Sequence, residues 1–360
     1  MSRSYTSTRG AGAASPLPNL SGSFVDEAYL ELVELLTTEA DNSSQVYHAF
    51  DTTTHISYAV KCMHNAAPGS PRAADLQREL DLHQSVAAQR GVATLNFSFV
   101  DNPRAGGDNE YLFLVLNPAA GDLSNLILQR QMYVDRPRLV KESFLMLADA
   151  VAECHNAGVY HRDLRPRNVW CDAEGGSLRI ANFEKATREE RSVNFRCGDL
   201  AYMSPECADS TGAGASYSPR ESDIWALAVI LFNIVTGSRP WSVPHPSDES
   251  YAAYRADEEN HLVETFHITP AANGFFRRCF AAQAADRPTL DDMTVAVLDI
   301  DDRFSLSQRL VVHSRASKLF FRPDSREVIG DVRFLDRRRP EEEGLGGKGG
   351  AKKKSKYKNV

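Results

Sequence analysis

The chain has 360 residues, of which 42% are hydrophobic and 25% charged, with a formal net charge of −7. This is ordinary globular usage and excludes collagen-like, disulfide-scaffold and wholly disordered classes. Six cysteines, at 62, 154, 171, 197, 207 and 279, form no C-x-x-C pair and no zinc spacing, as expected of reduced intracellular thiols.

Residues 1–24, rich in Ser, Gly and Ala, read as a flexible leader without the apolar core of a secretory signal. Segments 45–50 and 56–63 alternate around a polar turn at 51–55, which predicts a hairpin. Leu76, Leu80, Leu82 and Val86 recur amid charges and predict a helix over 72–88. Residues 102–109, with a Pro and two Gly, predict a loop before an apolar strand at 111–116. Segment 140–157 is amphipathic and stops at Gly158. Segment 224–235 is apolar on every side, so it predicts a buried central helix ended by Gly237. At 12 residues it is far short of the ~20 that span a bilayer, and the expected location is cytoplasmic or nuclear. A strand-rich first third before a helix-rich remainder predicts an α+β fold in two lobes. Residues 348–360 carry six lysines and no acid, leaving an acidic body for which no specific nucleic-acid binding is expected. That tail is either a solvated end or a guide toward an acidic partner, a membrane surface or nuclear import.

Residues 160–170 read Y-H-R-D-L-R-P-R-N-V-W, which resembles the catalytic loop of protein kinases, H-R-D-L-x-x-x-N. Other landmarks follow in kinase order: Ala59-Val60-Lys61, Glu79, Met203-Ser204-Pro205-Glu206, Ser222-Asp223-Ile224-Trp225 and Arg287-Pro288-Thr289. Within that superfamily, R-E-L-D-L-H (78–83) and C-G-D-L-A-Y-M-S-P-E-C (197–207) look most like fungal nutrient- and meiosis-signalling Ser/Thr kinases. The resemblance implies a bilobal kinase fold over 25–302, with an N-lobe at 25–118 and a C-lobe at 119–302. An extension at 303–337 and a disordered lysine-rich tail at 338–360 would follow. It further implies Asp163 as catalytic base, Asn168 as metal ligand, and Lys61 on the nucleotide phosphates with Glu79 as its helix partner. Val46, Ala59, Leu116 and Trp170 would line the nucleotide. His161, Phe183, Glu206, Asp223 and Arg287 would be structural, with Glu206 and Arg287 a buried pair.

Several residues depart from the kinase pattern. Glu39, Asp41 and Ser44 hold the three glycine positions of the phosphate-covering loop. A carboxylate about 4 Å from a phosphate charge is repelled by roughly 4 kcal/mol at an effective dielectric of ~20. The alternative is that these side chains point to solvent. Asn182-Phe183-Glu184 stands where D-F-G belongs, so the metal position holds a neutral amide where magnesium prefers an anionic oxygen. Glu184 would supply that carboxylate only after a backbone rearrangement. Trp170 either fills the floor beneath the adenine or turns aside into the core. The hinge 117–119 contains Pro118, which has no N–H to donate. Arg165 and Asp199 replace a lysine–threonine contact and are expected to pair, with Asp199 raising the Asp163 pKa. Arg167 replaces an acidic residue, which shifts any peptide preference away from arginine-rich sequences.

Retained anchors beside lost phosphate and metal groups predict a pseudokinase: a scaffold or allosteric signalling partner with impaired ATP and Mg binding. The alternative is a divergent Ser/Thr kinase using Lys61, Asp163 and Asn168. A third reading is a nucleotide sensor that binds ATP without magnesium. In each case the partner or substrate is a protein. Ser192 and Thr187 stand as candidate phosphosites beside Arg162, with Glu189 and Glu190 as alternative sources of charge.

Overall fold

The structure, a computed structural model, describes residues 16–39, 42–103, 110–129, 131–172, 174–209, 215–300 and 304. Their contacts divide into two units that part between Pro118 and Ala119, and the segment Pro71–Thr94 groups with the second.

The first unit is an antiparallel sheet of β1 (Ser23–Val25), β2 (Leu30–Thr38), β3 (Ser44–Asp51), β4 (Ser57–His64), β5 (Leu95–Asp101) and β6 (Tyr111–Leu116). Their order across the sheet is β1-β2-β3-β4-β6-β5. The β3–β4 turn forms where the sequence predicts it, because Asp51 Oδ1 accepts the N–H groups of Thr53 and Thr54 at 2.8 and 2.7 Å. Period-two alternation sends Tyr47, Ala49, Val60, Cys62, Phe113 and Val115 to one apolar cluster. The opposite face carries Val46 paired with Lys61, Lys61 paired with Leu114, and Ala59 paired with Leu116.

The predicted leader is too long. Leu17 and Leu20 are buried in the same cluster. The Leu20 N–H donates to Tyr47 Oη at 3.0 Å, and Gln45 Nε2 donates to the Leu17 carbonyl at 3.2 Å. Two leucines three apart find an apolar seat that segment composition conceals. Of the predicted extension and tail, only Phe304 lies within the described residues; it is buried, and its carbonyl accepts the Thr269 N–H at 2.9 Å.

The second unit holds α1 (Pro71–Val86), α2 (Leu123–Leu128), α3 (Pro137–Asn156), α4 (Pro205–Ala208), α5 (Pro219–Thr236), α6 (Glu249–Ala256), α7 (His261–Phe266), α8 (Pro270–Cys279) and α9 (Leu290–Asp299). A small sheet joins β7 (Gly121–Asp122), β8 (Val169–Cys171) and β9 (Leu178–Ile180). Helix α3 starts earlier than its apolar stripe, since Pro137 is tolerated in a first turn. Helix α5 also extends past its apolar run. Ser218 caps it by accepting the Glu221 N–H, and Gly237, at φ +70°, ends it. Every residue from Ser222 to Thr236 is buried, so α5 is the axis around which this unit packs. Burying each large apolar side chain there contributes about 1.5–3 kcal/mol. Among the described residues, no helix is long and apolar enough to cross a membrane.

Candidate active site

Asp223, in the first turns of α5, organises the loop that carries Asp163. Its side chain is 1% exposed. Oδ2 accepts the His161 N–H at 2.8 Å and His155 Nε2 at 3.0 Å, and Oδ1 accepts the Arg162 N–H at 2.8 Å. One buried carboxylate thus satisfies two loop amides that would otherwise be orphaned, holding Arg162 at φ +63°. His161 Nε2 donates to the Ala181 carbonyl at 3.0 Å, and its Nδ1 accepts the Asp163 N–H at 3.2 Å. Burial pushes the His161 pKa down, in keeping with that neutral tautomer.

Phe183 is fully buried between two imidazoles, His161 at 5.0 Å and His83 at 4.7 Å between ring centroids. His83 also donates from Nε2 to the Ala93 carbonyl at 2.7 Å. Sequence reasoning assigned His83 no role. The available signal was its place four residues after Glu79, on the same face of α1.

Asp163 is 7% exposed and fully engaged. Oδ2 accepts Asn168 Nδ2 at 2.8 Å, and Oδ1 accepts the Asp199 backbone N–H at 3.1 Å. Its pKa is raised by burial. The Arg165 guanidinium, His161, the Asn168 amide and the Asp199 N–H each pull it partly back. The expected Arg165–Asp199 pair is present, whereas the expectation that Asp199 raises the Asp163 pKa is corrected. Arg165 sits nearer Asp163, with Nε 3.4 Å from Oδ2, than Asp199, where Nη1 is 3.9 Å from Oδ2. Asp199 acts on Asp163 through its backbone donor, in the direction that lowers the pKa. That contact requires Gly198, at φ +102°, since a Cβ there would fall 2.7 Å from Asp163 Oδ1 and 2.8 Å from the Arg162 carbonyl. Gly198 and the Asp199 amide are site elements that sequence reasoning missed.

The two predicted metal positions bond to each other. Asn182 Nδ2 donates to Asn168 Oδ1 at 3.3 Å, while Asn168 Nδ2 donates to both the carbonyl and Oδ2 of Asp163 at 2.8 Å. Asn182 adopts φ +65°, a region Asn tolerates better than most residues. The residues present do not fit a magnesium ion. Both amides are neutral, and the carbonyl oxygen Asn168 could offer already accepts an N–H. Glu184 does not supply the missing carboxylate here: its Oε1 takes Lys185 Nζ at 2.8 Å.

In the first unit, Lys61 is 6% exposed and shares its sheet face with Val46, Ala59 and Leu116. The described residues on either side of the predicted phosphate loop bond to one another. The Glu39 N–H donates to the Ser44 carbonyl at 3.0 Å, and the Asn42 N–H donates to the Glu39 carbonyl at 2.8 Å. Ser44 is buried inside β3, and Asp41 lies outside the described residues. In the second unit, Glu79 is buried on α1. Trp170 alternates on β8 with buried Val169 and Cys171, so its half-buried indole stands on the other face and is not packed in the core. Arg167 is half-buried in the short 3-10 turn Pro166–Asn168.

Arg287 grips Glu206 with both nitrogens, Nη1–Oε1 at 2.6 Å and Nη2–Oε2 at 2.7 Å, and its guanidinium lies 4.9 Å over Trp225. The Arg287 side chain is fully buried, whereas that of Glu206 is 26% exposed, so the pair is buried from one side only.

Comparison with known proteins gives the arrangement its context. The protein kinase domain profile matches residues 41–297. The negative regulator of sexual conjugation and meiosis of Schizosaccharomyces pombe is 29% identical over 272 residues, 70% of this chain and 56% of its own length. Serine/threonine-protein kinase ksp1 of the same yeast is 34% identical over 209 residues, 56% of this chain and 42% of its own. The inactive serine/threonine-protein kinase PLK5 of Mus musculus is 26% identical over 278 residues, 75% of this chain and 43% of its own. The chain spans about half the length of these curated relatives. With its α+β fold and a profile match over most of its length, the chain belongs to the protein kinase domain family.

Proposed function

We propose that this chain is a pseudokinase, a scaffold or allosteric protein partner in signalling, with ATP and magnesium binding impaired. The observation that carries the reading is the hydrogen bond from Asn182 Nδ2 to Asn168 Oδ1. An amide N–H there does what a cation would do, polarising the same oxygen without any need for a metal. Glu39 supports the reading independently, since it puts a carboxylate at a position where the kinase resemblance implies a glycine of the phosphate-covering loop. By contrast Asp223, Phe183, Glu206 and Arg287 keep their structural contacts.

The test is thermal denaturation of the purified chain with millimolar ATP, with and without magnesium. Ligand that binds only the folded state raises Tm. No magnesium-dependent rise is expected. In the Asn182→Asp variant a carboxylate faces Asn168 Oδ1, an oxygen pair that a cation would bridge, so that variant should acquire a magnesium-dependent rise. A clear magnesium-dependent rise in the unaltered protein overturns the proposal.

The second reading, a divergent Ser/Thr kinase, draws on Asp163. Its carboxylate is held by Asn168, as a base positioned for a substrate hydroxyl would be. If magnesium-dependent ATP binding is found, loss of peptide phosphorylation in Asp163→Asn would establish this reading.

A further inference from the structure

Residues 182–206 form one segment, described throughout, that the site contacts above only partly explain. Backbone pairing pins it at three points. Thr187 and Tyr160 exchange two N–H to carbonyl bonds, both 2.9 Å. Ser192 and Tyr217 exchange two more, at 2.9 and 3.0 Å, and the Arg196 N–H reaches the Cys207 carbonyl at 3.0 Å. Between the first two pins lies the Arg162 guanidinium. Its Nε donates to the Lys185 carbonyl at 2.6 Å and its Nη1 to Ser192 Oγ at 3.2 Å. Ser192 Oγ also accepts the Asn194 N–H at 3.2 Å, so the hydroxyl is a two-fold acceptor inside the fold. Tyr217 completes the clamp, donating its hydroxyl to the Asn194 carbonyl at 3.2 Å and packing its ring 5.5 Å from Phe195.

We infer that this segment is locked in place by a neutral serine clamp, Arg162–Ser192–Tyr217, which requires no phosphate and which phosphorylation of Ser192 would open. Segments of this kind in kinases are commonly ordered by a phosphate that gathers arginines. Here two of the guanidinium's five N–H donors already go to a carbonyl and a hydroxyl. Ser192 is 0% exposed and Thr187 6% exposed, so neither candidate phosphosite presents an accessible hydroxyl. A phosphoryl group would add three oxygens and nearly two negative charges to Ser192 Oγ, where there is no room for them. The Ser192–Tyr217 pairing would have to part. The clamp is built from the second unit alone, and it holds whether or not the chain binds nucleotide.

The experiment is amide hydrogen exchange across 185–208 and 216–218 on the chain treated with a broad-specificity phosphatase and shown by intact mass to be unphosphorylated. The amides of Thr187, Ser192 and Tyr217 should remain protected by at least about a hundredfold over an unfolded chain. Unprotected exchange at these three amides in phosphate-free protein overturns the inference. Ser192→Ala should speed exchange of the Asn194 amide about tenfold through loss of its acceptor. Ser192→Glu should speed exchange across 187–196 further. If Ser192→Glu instead slows exchange there, Arg162 is a receptor for negative charge and the clamp is a phosphate site after all. Should either variant fail to fold, the phosphatase-treated natural protein still decides the question.

Discussion

Asp223 and Asn182 stand at opposite ends of one short chain of contacts: Asp223 holds His161, and His161 holds the carbonyl of Ala181, the residue before Asn182. At the Asp223 end every group does mechanical work. A single carboxylate collects two backbone amides and an imidazole, and a bidentate arginine fixes Glu206. At the Asn182 end two neutral amides bond to each other. The two ends are linked through a single histidine, so shape and chemistry separate over a very short path of contacts. A loop can be held rigid from behind while its front changes character, because the bonds that shape it come from α5 and from the residue before Asn182.

The sharpest way to break this comparison is at its rear. Asp223→Ala leaves His155 and two buried N–H groups without an acceptor, and should cost about 3–5 kcal/mol in chemical denaturation. If the loss is below about 1 kcal/mol, the loop is shaped by something other than Asp223. Arg287→Ala comes next, at about 3 kcal/mol, from loss of the fork on Glu206 and of the stacking on Trp225. Arg287→Lys should recover less than half of that, because an ammonium offers no planar fork. Equal stability of the lysine variant and the natural protein would mean that charge alone suffices.

Titration separates the two ends more gently. Asp163 has its pKa raised by burial, so the folded state holds that proton more tightly than the unfolded chain. Its contribution to stability is therefore present at low pH and is lost as pH rises from about 3.8 through the raised value. His161 has its pKa lowered by burial, so the unfolded chain takes the proton first, and stability falls as pH drops below 6.5. Each unit of either shift is worth about 1.4 kcal/mol. Asp163→Asn should remove the first slope and His161→Phe the second, both read from denaturation midpoints between pH 4 and 7. An unchanged profile in Asp163→Asn would show that its carboxylate is not perturbed by burial.

The sequence made the anchors readable and left their means of attachment hidden. Asp163, Asn168, Asp223, Glu206 and Arg287 stand at fixed spacings in a recognisable order, and the apolar run at 224–235 announced α5. Hidden were contacts that depend on the folded backbone. Asp199 reaches Asp163 through its amide, not its side chain, and Gly198 matters through the room it leaves. His83 meets Phe183 only once α1 has packed. The seat of Leu17 and Leu20 could not be read either, because a Ser/Gly/Ala-rich composition over 24 residues masks two leucines with a tertiary partner. The reversed role of Asp199 has a similar cause, since residue charge says nothing about which of its atoms faces the neighbour.

The smallest expected effect is at the turn of the first unit, and it bears most directly on which end of the comparison matters for function. Glu39 contributes its N–H and its carbonyl to the β2–β3 turn, and glycine supplies both as well. Glu39→Gly should therefore change stability by no more than about 0.5 kcal/mol. Ser44→Gly, at the first residue of β3, should cost about 0.5–1 kcal/mol. If the Asn182–Asn168 bond is the controlling lesion, Glu39→Gly alone gains no magnesium-dependent Tm rise with ATP. Adding it to Asn182→Asp should then enlarge the rise beyond that of Asn182→Asp alone, because one acidic charge at an implied glycine position has gone. A rise in Glu39→Gly by itself would reverse the ranking. The amide pair would then be a tolerated detail, and the barrier to nucleotide would lie in the charge of one turn.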